Sequence, residues 1–320
     1  MVFDLIILGG GPAGVAAGVY AARKRLTTLL ITESIGGQSE VSANVQNWIG
    51  MASVSGFELA QMFEKHLRAQ ESIDIQMPEK AKKVLKSGNE FIVETESGAT
   101  YKSRGLIIAT GARRRKLNIP GEEEFNGKGI AYCSTCDAPI FKGKDVVVVG
   151  GGNAGLEAVV DLLPYATKIY VLEFSDALRG DTVTLERIKQ DEKVEIITSA
   201  QALRIEGNKF LEKIVYKDRV TEKEKQLDVG GVFVEIGSVP NSELVKDLVS
   251  INKHGEIIID HKTAATSAEG IWAAGDVTDE IFKQNNISAG DAVKAALSAY
   301  SYLSELKRES PASVQVGAAE

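Results

Sequence analysis

One short pattern occurs twice in this chain and constrains its fold more than any other feature. FDLIIL (3–8) is an apolar run of strand length; Gly9-Gly10-Gly11-Pro12-Ala13-Gly14 follows it, and then the Ala-rich, helix-favouring stretch VAAGVYAARK. A second apolar run, TTLLIT, ends at Glu33, 19 residues past Gly14. A lone G-x-G-x-x-G says little, but between a strand and a helix, with an acid at that distance, it specifies a dinucleotide site. The glycines allow a tight turn, close approach of backbone to a pyrophosphate and helix–strand packing, and the acid accepts ribose hydroxyls. The pattern returns as KDVVVVG, Gly150-Gly151-Gly152-Asn153-Ala154-Gly155, LEAVVDLL and KIYVLE, ending at Glu173, 18 residues past Gly155. Two such units mean two nucleotides, or one nucleotide and a decayed copy. An enzyme carrying a flavin and a nicotinamide is the simplest occupant.

Further segments complete the first unit. RGLIIATGA reads as a strand ending in a turn at Thr110-Gly111, and GIWAAGDVTD as a strand delivering Gly275-Asp276 to its carboxyl end, where such sheets bind ligands. ISAGDAVKAALSAYSYL reads as the helix that follows. The expected class is α/β, with two Rossmann-like three-layer domains of FAD/NAD(P)-binding type, the second inserted into the first. The flavin domain is expected over 1–113 and 245–308, the nicotinamide domain with the cysteines over 114–244, and a flexible tail over 309–320. The crossings ARRRKLNIPG and VEIGSVPN contain the Gly and Pro that suit hinges.

Composition narrows the function. A net charge of −7 opposes general affinity for nucleic acid or anionic membrane. The run Arg113-Arg114-Arg115-Lys116 is an exception, read as a solvated linker or as a dock for an acidic partner. No stretch reaches the roughly 18 uninterrupted apolar residues of a membrane span. Asp4 and the glycines interrupt the apolar N-terminus, so a cytoplasmic protein is expected. Two cysteines in 320 residues do not make a disulfide framework, and both lie in one motif, Cys133-Ser-Thr-Cys136-Asp137. Zinc lacks ligands, because His66, His254 and His261 are scattered and no second pair has metal spacing. A redox dithiol and a pair of inert buried thiols both remain open on these residues alone.

The ordered set GGGPAG, Gly36-Gly37-Gln38, NWIG at 47–50, ATG at 109–111, PGEEEF, C-x-x-C-D at 133–137, GGGNAG, VFVEIG-x-x-PN and AAGDV resembles the low-molecular-weight thioredoxin reductases. In its second half it is more similar to the flavoprotein core of alkyl hydroperoxide reductase. The resemblance runs from about residue 2 to residue 306. It implies an FAD-dependent disulfide reductase, a homodimer, in which hydride from a nicotinamide reaches the flavin and electrons pass to a Cys133–Cys136 disulfide. Cys136 is then the flavin-side thiol, Cys133 the attacker of a partner's disulfide, and Asp137 the acid–base. A carboxylate beside a thiol raises the thiol pKa, so that arrangement needs compensation. Domain rotation is implied, since nicotinamide and dithiol cannot share one flavin face.

The resemblance assigns Gly9, Gly11, Pro12, Ala13, Gly14, Glu33, Gly37, Gln38, Asn47, Thr110, Gly111, Gly275, Asp276 and Gln284 to the flavin. It assigns Gly150, Gly152, Asn153, Gly155, Glu173 and Arg179 to the nicotinamide nucleotide. Where NADPH-using members have a His-Arg-Arg stretch, this chain has Glu173-Phe174-Ser175, which favours NADH over NADPH; Arg179 matches a phosphate-binding arginine and opposes that preference. Ala138-Pro139 replaces the usual glycine after the dithiol, and Gly290-Asp291-Ala292 lacks a second glycine. The resemblance covers the flavoprotein core of alkyl hydroperoxide reductase and not the thioredoxin-like domains that precede it, and those domains are expected to be absent. A separate thioredoxin- or glutaredoxin-like protein is therefore the expected acceptor, with Lys128 as a candidate contact. Alternative readings are supply of a peroxiredoxin system, ferredoxin in place of nicotinamide, and a non-catalytic redox sensor.

Overall fold

The computed structural model describes residues 1–42 and 45–309. It divides into two units: residues 1–40, 56–113 and 240 onward form the first, and 41–55 with 114–239 form the second. Of the tail expected over 309–320, everything after Glu309 lies outside the described residues.

In the first unit the chain runs through β1 (Val2–Leu8), α1 (Pro12–Arg23), β2 (Thr28–Ile31), α2 (Gly56–Arg68), β3 (Ile73–Gln76), β4 (Ala81–Ser87), β5 (Glu90–Thr95), β6 (Thr100–Ile108) and into β7 (Ala112–Arg114). The sheet order is β3-β2-β1-β6-β5-β4. β1 lies between two parallel neighbours, with Leu5 opposite Thr28 and Gly105. A strand covered on both faces needs apolar residues throughout, which is why FDLIIL does not alternate. β6 changes partner along its length: Thr100–Ser103 pair antiparallel with β5, and Leu106–Ile108 pair parallel with a strand that returns late in the sequence. Asp4, the one charged residue of β1, is buried. Burial alone raises its pKa, but bonds from Lys307 and Thr27 hold it below the ordinary carboxylate value.

The second unit contains β8 (Ile130–Ala131), α3 (Ser134–Asp137), β9 (Asp145–Val149), α4 (Asn153–Leu162), β10 (Lys168–Leu172), α5 (Thr182–Lys189) and β11 (Val194–Ile197). There follow β12 (Ala200–Gly207), β13 (Leu211–Asp218), β14 (Glu224–Asp228), β15 (Gly231–Val234) and β16 (Ser238–Pro240). Its parallel sheet has the order β11-β10-β9-β15-β8, and β12-β13-β14 form a separate antiparallel sheet. The Val146–Val149 run shows why the core forms on both faces. Val146 and Val148 pack with Phe141, Leu156, Leu162 and Phe233; Val147 and Val149 pack with Ile205, Ile214, Tyr216 and Val232. Strand periodicity of two sends neighbours to opposite faces. Back in the first unit, β17 (Ile271–Ala273) joins β6, and α6 (Asn285–Glu309) closes the described chain.

Two boundaries differ from the expectation. The return to the first unit comes at Val239–Pro240, ahead of residue 245. Asn241 accounts for it: its N–H donates to the Gly111 carbonyl at 2.9 Å and its side-chain amide to the Thr110 carbonyl at 2.8 Å. The second difference is the segment 41–55, which groups with the second unit although elements of the first flank it in sequence. Mutual Val45–Val54 backbone bonds close that segment as a loop of its own.

Candidate active site

β1 ends where Gly9, at φ +110°, turns the chain into α1. A Cβ on Gly9 would strike the Ala109 carbonyl, and one on Gly14 would strike the Gly9 carbonyl, so both glycines make room for backbone. Gly11 is different. The nearest atom to a Cβ there is Gly37 Cα at 3.8 Å, so its open side faces a cavity of about 780 Å³. Gly9, Gly11, Pro12 and Ala13 line this cavity from the first turn, Glu33 from beyond β2, and Gly37 and Gln38 from the turn after it. Thr110 and Gly111 enter past β6, and Gly275 and Asp276 past β17. Gln38 Nε2 donates to the Ala112 carbonyl at 2.7 Å and lies 3.4 Å from Asp276 Oδ2, while Ser288 Oγ lies 3.3 Å from Asp276 Oδ1. Glu33 is 3.6 Å from Lys80 Nζ.

The second glycine turn repeats this construction. A Cβ on Gly150 would meet the Glu235 carbonyl and one on Gly155 the Gly150 carbonyl, whereas nothing lies within 4 Å of one on Gly152. Asn153 begins α4, and its Oδ1 accepts the Asp181 N–H at 2.8 Å. Glu173, just past β10, is held by two backbone donors, Gly151 N–H at 2.6 Å and Ser175 N–H at 2.7 Å. Each carboxylate oxygen keeps a further lone pair for a ligand. The exposed Phe174 ring is covered by the Arg219 guanidinium at 3.9 Å, which also donates to the Phe174 carbonyl at 2.7 Å. Arg179 donates its backbone N–H to Gly151, and its side chain is exposed.

Cys133 and Cys136 form a disulfide across α3, with Cα atoms 5.3 Å apart. Asp137 closes this one-turn helix by donating its N–H to the Cys133 carbonyl at 3.0 Å. Its side chain is half-buried, and burial pushes the carboxyl up to about 6. Ser134 Oγ and Thr135 Oγ1 both donate to Asp161 Oδ2, at 2.8 and 3.1 Å. Tyr132 donates its hydroxyl to buried Glu122, which also accepts the N–H groups of Leu117 and Asn118. Burial lifts Glu235 to about 7, against the pull of Arg114 and the Ser134 N–H. Among the described residues, no group of three or more His, Cys, Asp or Glu is placed to hold a metal ion.

Two open glycine turns at strand ends, and a disulfide in the unit that holds the second of them, invite comparison with known proteins. The pyridine nucleotide-disulphide oxidoreductase family model matches residues 3–301. The chain belongs to that family. It is 43% identical over 301 residues to "NADH dehydrogenase" of Bacillus subtilis (strain 168), covering 94% of this chain and 58% of that protein. It is 42% identical over 305 residues to the F subunit of alkyl hydroperoxide reductase of Pseudomonas aeruginosa, covering 94% and 58%. The chain thus spans less than three-fifths of the length of these relatives. Among solved structures, thioredoxin reductase of Streptococcus pyogenes superposes with a TM-score of 0.88 at 33% identity, covering 95% of this chain and 99% of that one. The thioredoxin reductase of Giardia duodenalis gives 0.87 at 30%, covering 94% and 99%.

Within this family member, the residues singled out from sequence fall into distinct places. Gly14, Gly150 and Gly155 serve packing of backbone on backbone. Gln284 immediately precedes α6, whose Asn285 and Ser288 line the large cavity. Asn47 belongs to the second unit, in a small cavity of about 420 Å³ lined by residues 46–52. The basic run is partly engaged by acids rather than simply solvated. Arg113 bonds Asn241 and Glu243, Arg114 faces Glu235, and Lys116 pairs with Glu123. Sequence reasoning passed over Asn241, Asp161, Glu235 and Arg219. An acid inside an apolar run, as in VVDLL and VFVE, was the available signal for two of them.

Proposed function

We propose that this family member is an FAD-dependent disulfide reductase, taking electrons from NADH in preference to NADPH and passing them through Cys133 and Cys136 to a small thioredoxin- or glutaredoxin-like protein. The observation that carries this reading is the Cys133–Cys136 disulfide beside a carboxyl poised at about 6, in the unit that also holds the open glycine turn.

The residues present fit both groups. The large cavity is of ligand-binding size. Gly11 there, and Gly152 in the second unit, are the places where a side chain would displace a ligand rather than protein. Gly9 to Ala13, Glu33, Gly37, Gln38, Thr110 to Gly111 and Gly275 to Asp276 would hold FAD, with Gln284 as a further contact. When bound, the flavin supplies two-electron transfer between a nicotinamide and a disulfide. Gly150 to Gly155 would take the pyrophosphate of the nicotinamide nucleotide at the start of α4. Glu173, oriented by Gly151 and Ser175, would accept ribose hydroxyls and repel a 2′-phosphate. Of the cations at this corner, Arg219 is already turned onto Phe174, while Arg179, exposed beside Gly151, opposes the preference.

In the reduced protein the Cys133 thiolate attacks the partner's disulfide, forming a mixed disulfide and releasing one partner thiolate. Cys136 then attacks Cys133 Sγ, which restores the internal disulfide and releases the second partner thiolate. Asp137, whose carboxyl burial raises to about 6, donates in its protonated form to the leaving sulfur. Similarity to relatives named as the F subunit of alkyl hydroperoxide reductase favours a second acceptor reading, in which the small carrier protein feeds a peroxiredoxin. The test is anaerobic loss of flavin absorbance on adding NADH or NADPH to the holoprotein. Fast loss with NADH and much slower loss with NADPH is expected. No loss with either would overturn the nicotinamide assignment.

A further inference from the structure

The turn that carries the two cysteines is held by an acid that the chemistry above does not use. Asp161 is the penultimate residue of α4, and its Oδ2 accepts hydrogen bonds from Ser134 Oγ at 2.8 Å and Thr135 Oγ1 at 3.1 Å. Ser134 and Thr135 are the two residues between the cysteines. The position does not serve α4 itself, because an acid in the last turn opposes the negative end of the helix dipole. Its neighbours Ala158, Val159 and Leu162 are fully buried in the core of the second unit, so the carboxylate is mounted on a fixed element.

The turn needs such support. α3 has only four residues, far below the length at which a helix stands on its own. While the disulfide is closed, the S–S bond limits the turn. Once it is reduced, the turn retains backbone bonds from Asp137 N–H to the Cys133 carbonyl and from Ala138 N–H to the Ser134 carbonyl, and contacts from outside must fix the rest of its shape. The Ser134 N–H faces buried Glu235, which is packed near Arg114, Asp161 and Glu157.

We propose that Asp161 is a positioning residue of the dithiol: by gripping Ser134 and Thr135 it keeps the opened Cys133 and Cys136 within reach of each other, so that the internal disulfide recloses readily. The inference rests on the disulfide-reductase reading and adds to it. The step served is attack of the Cys136 thiolate on Cys133 Sγ in the mixed disulfide. The internal S–S bond forms, the bond to the partner breaks, and the partner sulfur leaves with the electron pair and takes up a proton. The partner's disulfide is the oxidant. α4 begins at the open Gly152 turn and ends at Asp161, so one helix of ten residues, about 15 Å long, ties the dithiol to the nucleotide turn.

The test is the equilibrium between the holoprotein's disulfide and dithiothreitol, read by thiol trapping and mass. Asp161→Ala is expected to lower the closure constant roughly tenfold, the scale of losing a hydrogen bond to a charged group. Ser134→Ala with Thr135→Ala should reproduce that loss and add nothing to Asp161→Ala; this pair carries the test if Asp161→Ala does not fold. Asp161→Asn, which keeps an acceptor oxygen, should restore most of the constant. A wild-type closure constant in folded Asp161→Ala, or equal loss in the Asn variant, would overturn the proposal. Failure of the reductase reading would show separately, as no NADH-driven reduction of the disulfide in the unaltered protein.

Discussion

Two carboxyls of the second unit, Asp137 and Glu235, are raised by burial to about 6 and about 7. Both folded values lie above the unfolded ones. Their contribution to stability is therefore complete below the unfolded pKa and is lost as pH rises through the folded value. For Glu235 the full loss is on the order of 3 kcal/mol. Glu235→Gln should gain stability relative to the unaltered protein as pH rises from below about 5 to above about 7, measured by urea unfolding at each pH. A constant difference across that range would show that Glu235 does not titrate there. Asp137→Asn should slow reduction of a small protein disulfide by about a hundredfold at neutral pH and remove the limb near 6 from its pH profile. An unchanged profile would remove Asp137 from the proton path. Asp137 was visible in the sequence because it adjoins Cys136. Glu235 was marked only by its place in the apolar run VFVEI, a signal that does not separate a buried acid from an exposed one.

At the scale of elements, the glycines of one turn do unlike work that a motif alone does not separate. A Cβ on Gly155 would collide with the Gly150 carbonyl, while one on Gly152 meets no protein atom within 4 Å. Gly155→Ala should cost about 1–3 kcal/mol of stability through overpacking. Gly152→Ala should change it by less than about 0.5 kcal/mol yet weaken NADH binding about tenfold, a change of ~1.4 kcal/mol. Thermal melts and NADH titration of the two variants check this. Equal melting losses would mean that Gly152 also serves packing. The strand–turn–helix units were legible because their signals lie within thirty residues of one another. The extent of α6 was less so: it runs from Asn285 to Glu309, beyond the apolar periodic stretch that announces it.

At the scale of the whole molecule, the inserted unit carries its own core. Among the described residues, two hydrophobic clusters of this unit are built from residues between 117 and 236. Residues 114–239 expressed alone should therefore unfold in one cooperative urea transition. A broad transition with no native baseline would show that the unit depends on the remainder of the chain.

The sequence by itself determined the two strand–glycine turn–helix units, the α/β class, the insertion of one unit in the other and the pairing of two thiols with an acid. All of these follow from short apolar runs, glycine spacing and residues that are neighbours along the chain. Only the tertiary structure decided which distant groups meet. Gln38 reaches Asp276 across 238 residues, Thr110 bonds Asn241 across 131, and Ser134 finds Asp161 across 27. It also moved the return crossing to Val239–Pro240 and grouped residues 41–55 with the second unit. Such contacts depend on the order of strands in a sheet and on where helices end against it. Local propensity and spacing do not encode that order; burial of the common core selects it.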